Sequence, residues 1–360
     1  MKRLVIDTAA IRYNISLIRQ RAQGSVIYAA LAGDGYGIGL VELAGILREN
    51  GIDRFAVNAT ADAQALRAGG FETAEILMLH STMDPDHIRL LLDLNVVFTV
   101  GSQEAGELLN RLAGQQEKLA RAHILIDTGM GFGGFLPQEK DKLLSIYQYL
   151  PYVEPVGVYT HLYSAGHDIT ASMDRFSTAL DNIRVAGFEP GICHAASSSA
   201  LMSLAHTQLS AVRVGSAILG QCRSRKGEEL RLCCHGEATL DSVRWLPKGS
   251  TIGNEQLSTL RQDTRIGIIP VGYLNGFGQE HSRQISLLAR AGSWVNQHMR
   301  SVTVGGQQAR IIGRIRANET AIDLTDIDCK PGDIVTFDID PIFAQGLERR
   351  FVDSVDTEED

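Results

Sequence analysis

Val26-Ile27-Tyr28-Ala29-Ala30-Leu31-Ala32-Gly33-Asp34-Gly35-Tyr36-Gly37-Ile38-Gly39 runs from an apolar, β-branched stretch into a loop with four glycines in its last eight positions. A short apolar run that ends in glycine reads as a buried strand followed by a tight turn. The next segment, Leu40–Arg48, places Leu43, Ala44 and Leu47 at helical spacing. Strand, loop and helix in that order make one unit of a parallel sheet with crossover helices.

The same alternation repeats along the chain. Further candidate strands are Phe55–Asn58, Ile76–Leu79, Val96–Val100, His123–Asp127, Pro155–Tyr159, Ile192–His194 and Val212–Val214, which with Val26–Ala30 makes eight. Between them lie the amphipathic segments Ala61–Ala68, His87–Leu94, Glu104–Leu112, Lys140–Leu150 and Ala171–Val185. Gly51, Gly69 and Gly187 follow three helical segments, where a left-handed C-terminal cap takes glycine. Eight strand–helix units predict an α/β fold built as a (β/α)8 barrel; a doubly wound open sheet has the same period and stays open at this point. From about residue 230 the texture changes to strand-like runs broken by glycine turns: Ala238–Leu246, Ile266–Val271, Val302–Val304, Ala309–Ile315, Ala321–Leu324 and Ile334–Phe337. The expected organisation is a barrel over 8–230 and a mainly β domain over 231–360 joined by residues 1–7, with an acidic, frayed tail from Val352 to Asp360.

The 360-residue chain is 44% hydrophobic and 21% charged, ordinary for a globular protein with a large core. Its 34 Lys+Arg against 42 Asp+Glu leave a net charge of −8, so no general basic field attracts nucleic acid or anionic lipid. The five cysteines include the adjacent Cys233 and Cys234 but no CxxC spacing, which argues against a disulfide framework or a metal knuckle. Only a short apolar stretch separates Met1-Lys2-Arg3 from Asp7, and no run approaches the ~18 apolar residues of a membrane span. A cytoplasmic protein without nucleic-acid or membrane partners is expected.

In a barrel, the C-terminal ends of the strands and the loops after them form the active face. The loop Ala32–Gly39 reads either as a tight turn or as a phosphate or cofactor cup, with the Tyr36 hydroxyl as donor and Asp34 beside it. Asp127-Thr128-Gly129-Met130-Gly131 closes the fifth strand in a similar way. His161 follows the sixth strand, and His194 ends the seventh ahead of Ala195-Ala196-Ser197-Ser198-Ser199. Ser198 is expected near a helix start, where backbone N–H groups and a hydroxyl make an anion site. Arg213, inside the last barrel strand and followed by Gly215 and Ser216, needs a partner in apolar surroundings. A histidine taken singly is more often a hydrogen-bonded structural residue, but two histidines, an arginine and a phosphate-type loop on one face point to a ligand site.

Taken with Ile6-Asp7 ahead of Asn14, Tyr159-Thr160-His161, Val212-Arg213-Val214-Gly215, Ile269-Pro270-Val271-Gly272-Tyr273, Gly313-Arg314-Ile315 and Asp323-Leu324-Thr325-Asp326, these motifs make a chain that resembles the alanine racemases over nearly its whole length. That resemblance implies an N-terminal (β/α)8 barrel, a C-terminal β domain, pyridoxal 5′-phosphate (PLP) as cofactor, and a homodimer whose sites are shared between subunits. It also implies a phosphate cup of Tyr36, Ser198, Gly215 and Ser216, with Arg213 facing the pyridine nitrogen, His161 beside the ring and His194 orienting the arginine.

The catalytic positions depart from the family pattern. The lysine that carries the cofactor as a Schiff base stands four residues before the motif tyrosine, where this chain has Ala32. The acid/base tyrosine of the β domain falls at Ile252, the substrate-steering arginine at Phe132, a second barrel lysine at Leu125 and a methionine–aspartate pair at Ala317-Asn318. The expected function is a racemase-like protein without Schiff-base chemistry. It would bind a phosphorylated or amino-acid-like ligand, with PLP among the candidates, without a covalent bond and as a homodimeric binding or regulatory module. One alternative is new isomerase or lyase chemistry in the same pocket, using His161, His194, Asp34 or the thiol of Cys193. Another is a racemase that uses an unrecognised lysine, Lys226 or Lys248. A metal on His161 and His194 lacks a third ligand at any readable spacing.

Overall fold

The computed structural model describes residues 1–162, 169–204, 208–222, 229–253, 258–279 and 301–354. After strand β1 (Lys2–Asp7) and the helix Thr8–Ala22, eight parallel strands follow: β2 (Val26–Ala30), β3 (Arg54–Val57), β4 (Glu75–Met78), β5 (Phe98–Val100), β6 (Ala120–Leu125), β7 (Val153–Tyr159), β8 (Ile192–His194) and β9 (Ala211–Val214). They pair in the order β4-β3-β2-β9-β8-β7-β6-β5. A bridge between Leu77 and Val97, with the Met78 N–H donating to the Val97 carbonyl at 2.8 Å, joins β4 to β5. The sheet is therefore a closed barrel and not an open doubly wound one.

Strands β2 and β8 have the limits that the apolar pattern predicts. Strands β3, β4 and β6 begin earlier, and the extra residues include Arg54, Glu75 and Arg121, whose charge hides a strand start from a hydrophobic reading. Glu75 accepts hydrogen bonds from Arg121 at 2.9 Å and from the Tyr28 hydroxyl and pairs with Arg54 at 3.7 Å, so these charges at the strand starts offset one another, although Arg54 Nη1 makes no hydrogen bond. Above them Tyr28, Ala56, Leu77, Val97 and Ala211 form an apolar cluster. The predicted glycine caps hold at Gly51 (φ +70°) and Gly187 (φ +86°), but Gly70 (φ +85°) takes the left-handed position expected of Gly69. Gly69 is small for another reason: a Cβ there would meet Val41 Cγ1 at 2.9 Å.

The loop after β2 has unusual backbone geometry. Gly33, Asp34, Gly35 and Tyr36 are four successive left-handed residues, with φ of 58°, 56°, 62° and 57°. That conformation costs an L-residue about 1–2 kcal/mol, which glycine avoids at two of the four positions. Asp34 Oδ1 accepts the Leu40 N–H at 3.0 Å and ties the turn to the helix Leu40–Glu49.

The second compact unit combines Met1–Ala9 with the chain from Cys233 onward, leaving Ala10–Leu232 as the barrel unit. Its strands are β10 (Cys234–Thr239), β11 (Ser242–Leu246), β12 (Thr251–Ile252), β13 (Ser258–Thr259), β14 (Thr264–Ile269), β15 (Ser301–Val304), β16 (Gln307–Ile312), β17 (Thr320–Asp323), β18 (Ile334–Phe337) and β19 (Glu348–Val352). Nine of these unit strands, β1 included, form one sheet in the order β11-β14-β17-β16-β15-β18-β10-β1-β19. The expected run Ala238–Leu246 is divided between β10 and β11. Val352, expected to open a frayed tail, instead pairs with Asp7 where β19 runs parallel to β1; residues 355–360 lie outside the described residues. Among the described residues no helix is long and apolar enough to cross a membrane.

Two glycines in the barrel unit separate close packing from mere flexibility. A Cβ on Gly157 would lie 2.6 Å from His123 Nε2 and 2.7 Å from the Ile192 carbonyl, whereas one on Gly45 meets nothing within 4 Å. In urea unfolding, Gly157→Ala is expected to lose about 1–3 kcal/mol. Gly45→Ala, inside a helix, is expected to gain about 0.5–1 kcal/mol.

Candidate functional site

Arg213 on β9 is buried, and its guanidinium is fixed by groups at the ends of neighbouring strands. Its Nη1 donates to His194 Nδ1 at 2.6 Å, and its Nη2 donates to the Thr160 carbonyl at 2.8 Å with His161 Nδ1 at 3.3 Å. A guanidinium only donates, so His194 Nδ1 is an acceptor and the His194 proton sits on Nε2. That Nε2–H donates to His123 Nδ1 at 2.8 Å, which places the His123 proton on its own Nε2. His123 Nε2 has no hydrogen-bond partner and lies against Gly157. One cation thus fixes two tautomers in sequence.

Burial keeps these imidazoles neutral. Desolvation is the main cause that pushes His123 down to about 3, and it drives His194 well below the usual histidine range, with the Arg213 charge adding to both. Arg213 falls to about 10 by desolvation and stays charged at neutral pH. His161, packed on one side and open to solvent on the other, is held at about 4 by desolvation and then by Arg213. The His194 ring stacks on Tyr159 at 4.9 Å and on Tyr28 at 5.5 Å, and the Arg213 guanidinium lies 4.7 Å from the Tyr159 ring centre.

A cavity of about 160 Å³ opens here, lined by Arg213, Thr160 and His161 and by the loop after β6, including Asp127, Met130 and Phe132. Asp127 closes that loop: its oxygens accept the N–H groups of Gly129, Met130 and Gly131 at 2.8–3.2 Å. The Thr128 and Thr160 hydroxyls meet at 2.8 Å.

The predicted phosphate residues come together beside this cavity without lining it. Ser198 lies in the six-residue helix Ser198–Ser203, but the capping hydroxyl is that of Ser197, which accepts the Ala200 N–H at 3.4 Å. Ser198 Oγ accepts instead from the N–H groups of Gly215 at 2.9 Å and Ala217 at 3.2 Å. Ser198 thus stands at the helix start as expected, but its hydroxyl oxygen is engaged by the loop after β9, which leaves its O–H to donate. Tyr36 reaches the same place, since a Cβ on Gly215 would stand 2.0 Å from the Tyr36 hydroxyl. Ser216 hydrogen-bonds Cys222, whose thiol burial pushes up to about 11. Asp34 and Cys193 do not line the cavity. Cys193 is buried, its thiol 3.6 Å from the Gly191 carbonyl, and burial raises its pKa, the reverse of an activated nucleophile. Both ring nitrogens of His194 are engaged, so no lone pair is left for a metal.

The residue that motif reading misses is His123. Its available signal is parity: Arg121, His123 and Leu125 alternate along β6, and the first pairs with Glu75, the second with His194, while the third lines the cavity.

A (β/α)8 barrel with a buried cation at its strand ends, followed by a β domain, defines the class of protein. The family model for the alanine racemase N-terminal domain matches residues 6–222, and that for its C-terminal domain matches 234–342. The chain belongs to the alanine racemase family. It is 30% identical over 341 residues to an alanine racemase of Clostridium tetani, covering 92% of this chain and 84% of that relative. The fold is like that of an alanine racemase structure from Clostridium difficile 630, with a TM-score of 0.86 at 23% identity over 98% of this chain and 96% of the other. An alanine racemase structure from Bartonella henselae described with covalently bound pyridoxal phosphate has a TM-score of 0.81 at 20% identity, over 98% and 99% of the two chains.

The residues present suit part of such a ligand. A fixed buried cation and the Tyr36 and Ser198 hydroxyls offer donors to a ring and a phosphate, but no lysine lines the cavity among the described residues. Lys118 and Lys142 pair with Asp93 and Glu139, Lys248 is exposed, and Lys226 lies outside the described residues. Among the described residues, then, none that lines the cavity offers an amine for covalent attachment.

The neutral imidazoles give a pH signature. Below pH 6.5 the unfolded chain takes up protons that folded His161 refuses until about pH 4 and folded His123 until about pH 3, so stability falls as pH is lowered across that window. His123→Leu is expected to lose about 1–3 kcal/mol at pH 7.5, because the His194 Nε2–H is left without an acceptor. The same variant is expected to show a shallower acid loss in urea unfolding followed from pH 7.5 to 4. An unchanged acid slope would contradict the neutral tautomer chain.

Proposed function

We propose that this chain is a non-racemising member of the alanine racemase family that holds a phosphorylated aromatic ligand, PLP or a close relative, by hydrogen bonds alone. One observation carries this reading: Arg213 is locked in a ligand-facing pose by His194 and Thr160, while the position of the family lysine is Ala32. Arg213 would face the ring, with His161 beside it, and the Tyr36 and Ser198 hydroxyls would receive the phosphate. PLP supplies an electron sink once an amine has condensed with its aldehyde. Ala32 has no amine to offer, and Ile252 has no hydroxyl to move a proton at the position of the family tyrosine. A binding or regulatory role follows from a retained cradle and a missing proton-transfer apparatus, and the family resemblance implies that a homodimer exercises it.

The names of the curated relatives favour a second reading, a racemase with its lysine elsewhere. Titration of the purified protein with PLP, followed by borohydride and intact-mass measurement, separates the two. A saturable absorbance change with no added mass is expected. A stoichiometric phosphopyridoxyl adduct on the natural chain would establish a working lysine and sink the noncovalent reading. Ala32→Lys is expected to gain that adduct.

A further inference from the structure

We propose that the ligand of this pocket bears a hydrocarbon group, and no carboxylate, where it leaves the cavity; this rests on the phosphorylated-ligand function proposed above. A cavity of about 160 Å³ is close to the volume that accepts one benzene-sized ring. Among the described residues that line the cavity Arg213 is the one guanidinium or ammonium group, and its Nη1 and Nη2 are already committed to His194 and Thr160. The remaining wall is largely hydrocarbon, contributed by Leu79, Leu125, Ile126, Met130 and Phe132.

The loop after β6 makes the apolar character explicit. Phe132 is 86% exposed and Met130 39%, so this chain leaves two large apolar side chains uncovered at the edge of the cavity. Gly129, Gly131, Gly133 and Gly134 all have positive φ, a backbone path that glycine allows and that carries Phe132 between them. Covering such side chains with hydrocarbon releases water at a gain proportional to the area buried. A carboxylate in the same place would lose hydration without meeting a free cation among the described residues that line the cavity. It would also face the charge of Asp127, which lines the cavity with its oxygens occupied by backbone N–H groups. The arginine nearest this loop, Arg175, donates to the Thr128 carbonyl and does not line the cavity. The site therefore selects against the anionic end of an amino acid and for an alkyl or aryl substituent.

Two stable probes that differ only by the carboxylate test this: N-(5′-phosphopyridoxyl)-isobutylamine and N-(5′-phosphopyridoxyl)-valine, the second in both configurations. Isothermal titration with the full-length protein at pH 7.5 is expected to show the amine conjugate binding at least about tenfold more tightly than either valine conjugate. Phe132→Arg, at an exposed position that the fold tolerates, is expected to remove or reverse that preference, and Phe132→Leu to keep it. Equal or tighter binding of a valine conjugate to the natural chain overturns the inference while leaving the phosphorylated-ligand function standing. If neither conjugate nor PLP saturates, that function falls and this inference falls with it.

Discussion

A guanidinium group donates hydrogen bonds and accepts none, so burying one inside a barrel obliges the surroundings to supply acceptors. Arg213 meets that constraint with an imidazole nitrogen and a backbone carbonyl. The consequences spread outward: His194 must carry its proton on Nε2, His123 must accept it, and both rings must stay neutral among Tyr28 and Tyr159. Strands β6, β7, β8 and β9 each deliver one element of this arrangement, or its immediate extension.

The barrel was legible because its signal is local and repeated. Each strand is a short apolar run, each helix has a 3.6-residue period, and a glycine-bearing turn marks many of the joins. Legibility failed where charge enters the barrel. Arg54, Glu75 and Arg121 look like loop residues in one dimension, yet they open strands because they neutralise one another in three. The helix Thr8–Ala22 escaped for a related reason, since Arg12, Arg19 and Arg21 dilute its apolar stripe of Ile11, Ile15 and Ile18. The β unit was readable as texture, but its sheet order depends on β1, which pairs with β10 and β19 more than 200 residues away, and no local pattern encodes such pairing.

At the site, several side chains singled out from sequence order come together, but through contacts that the motifs do not contain. Tyr36, Ser198 and Gly215 do converge, and Arg213 does meet His194 and His161. What the motifs do not contain is direction. The Ser198 hydroxyl is engaged by Gly215 from the next strand's loop, and the tautomer of His194 is decided by a residue with which it shares no motif. His123 was invisible for the same reason: a histidine in a strand acquires a role only through the neighbour across the barrel.

The retained and the replaced residues differ in what the fold asks of them. Arg213 and His194 are buried and satisfy one another, with the Thr160 backbone carbonyl as further acceptor, and deleting either side chain would leave the other with an unpaired polar group inside the barrel, a penalty of about 1–3 kcal/mol or more. Their persistence is therefore partly a folding requirement. Phe132 is largely exposed and Ala32 and Ile252 are half-buried, so chemistry can be lost at these positions with little cost to packing. The left-handed turn is different. Asp34 and Tyr36 hold a backbone conformation that costs about 1–2 kcal/mol each, and a wider turn would be cheaper if only the barrel mattered. That turn delivers the Tyr36 hydroxyl against Gly215, at the N–H groups shared with Ser198. The strain in that turn therefore goes with the placement of the Tyr36 hydroxyl beside Gly215 and Ser198.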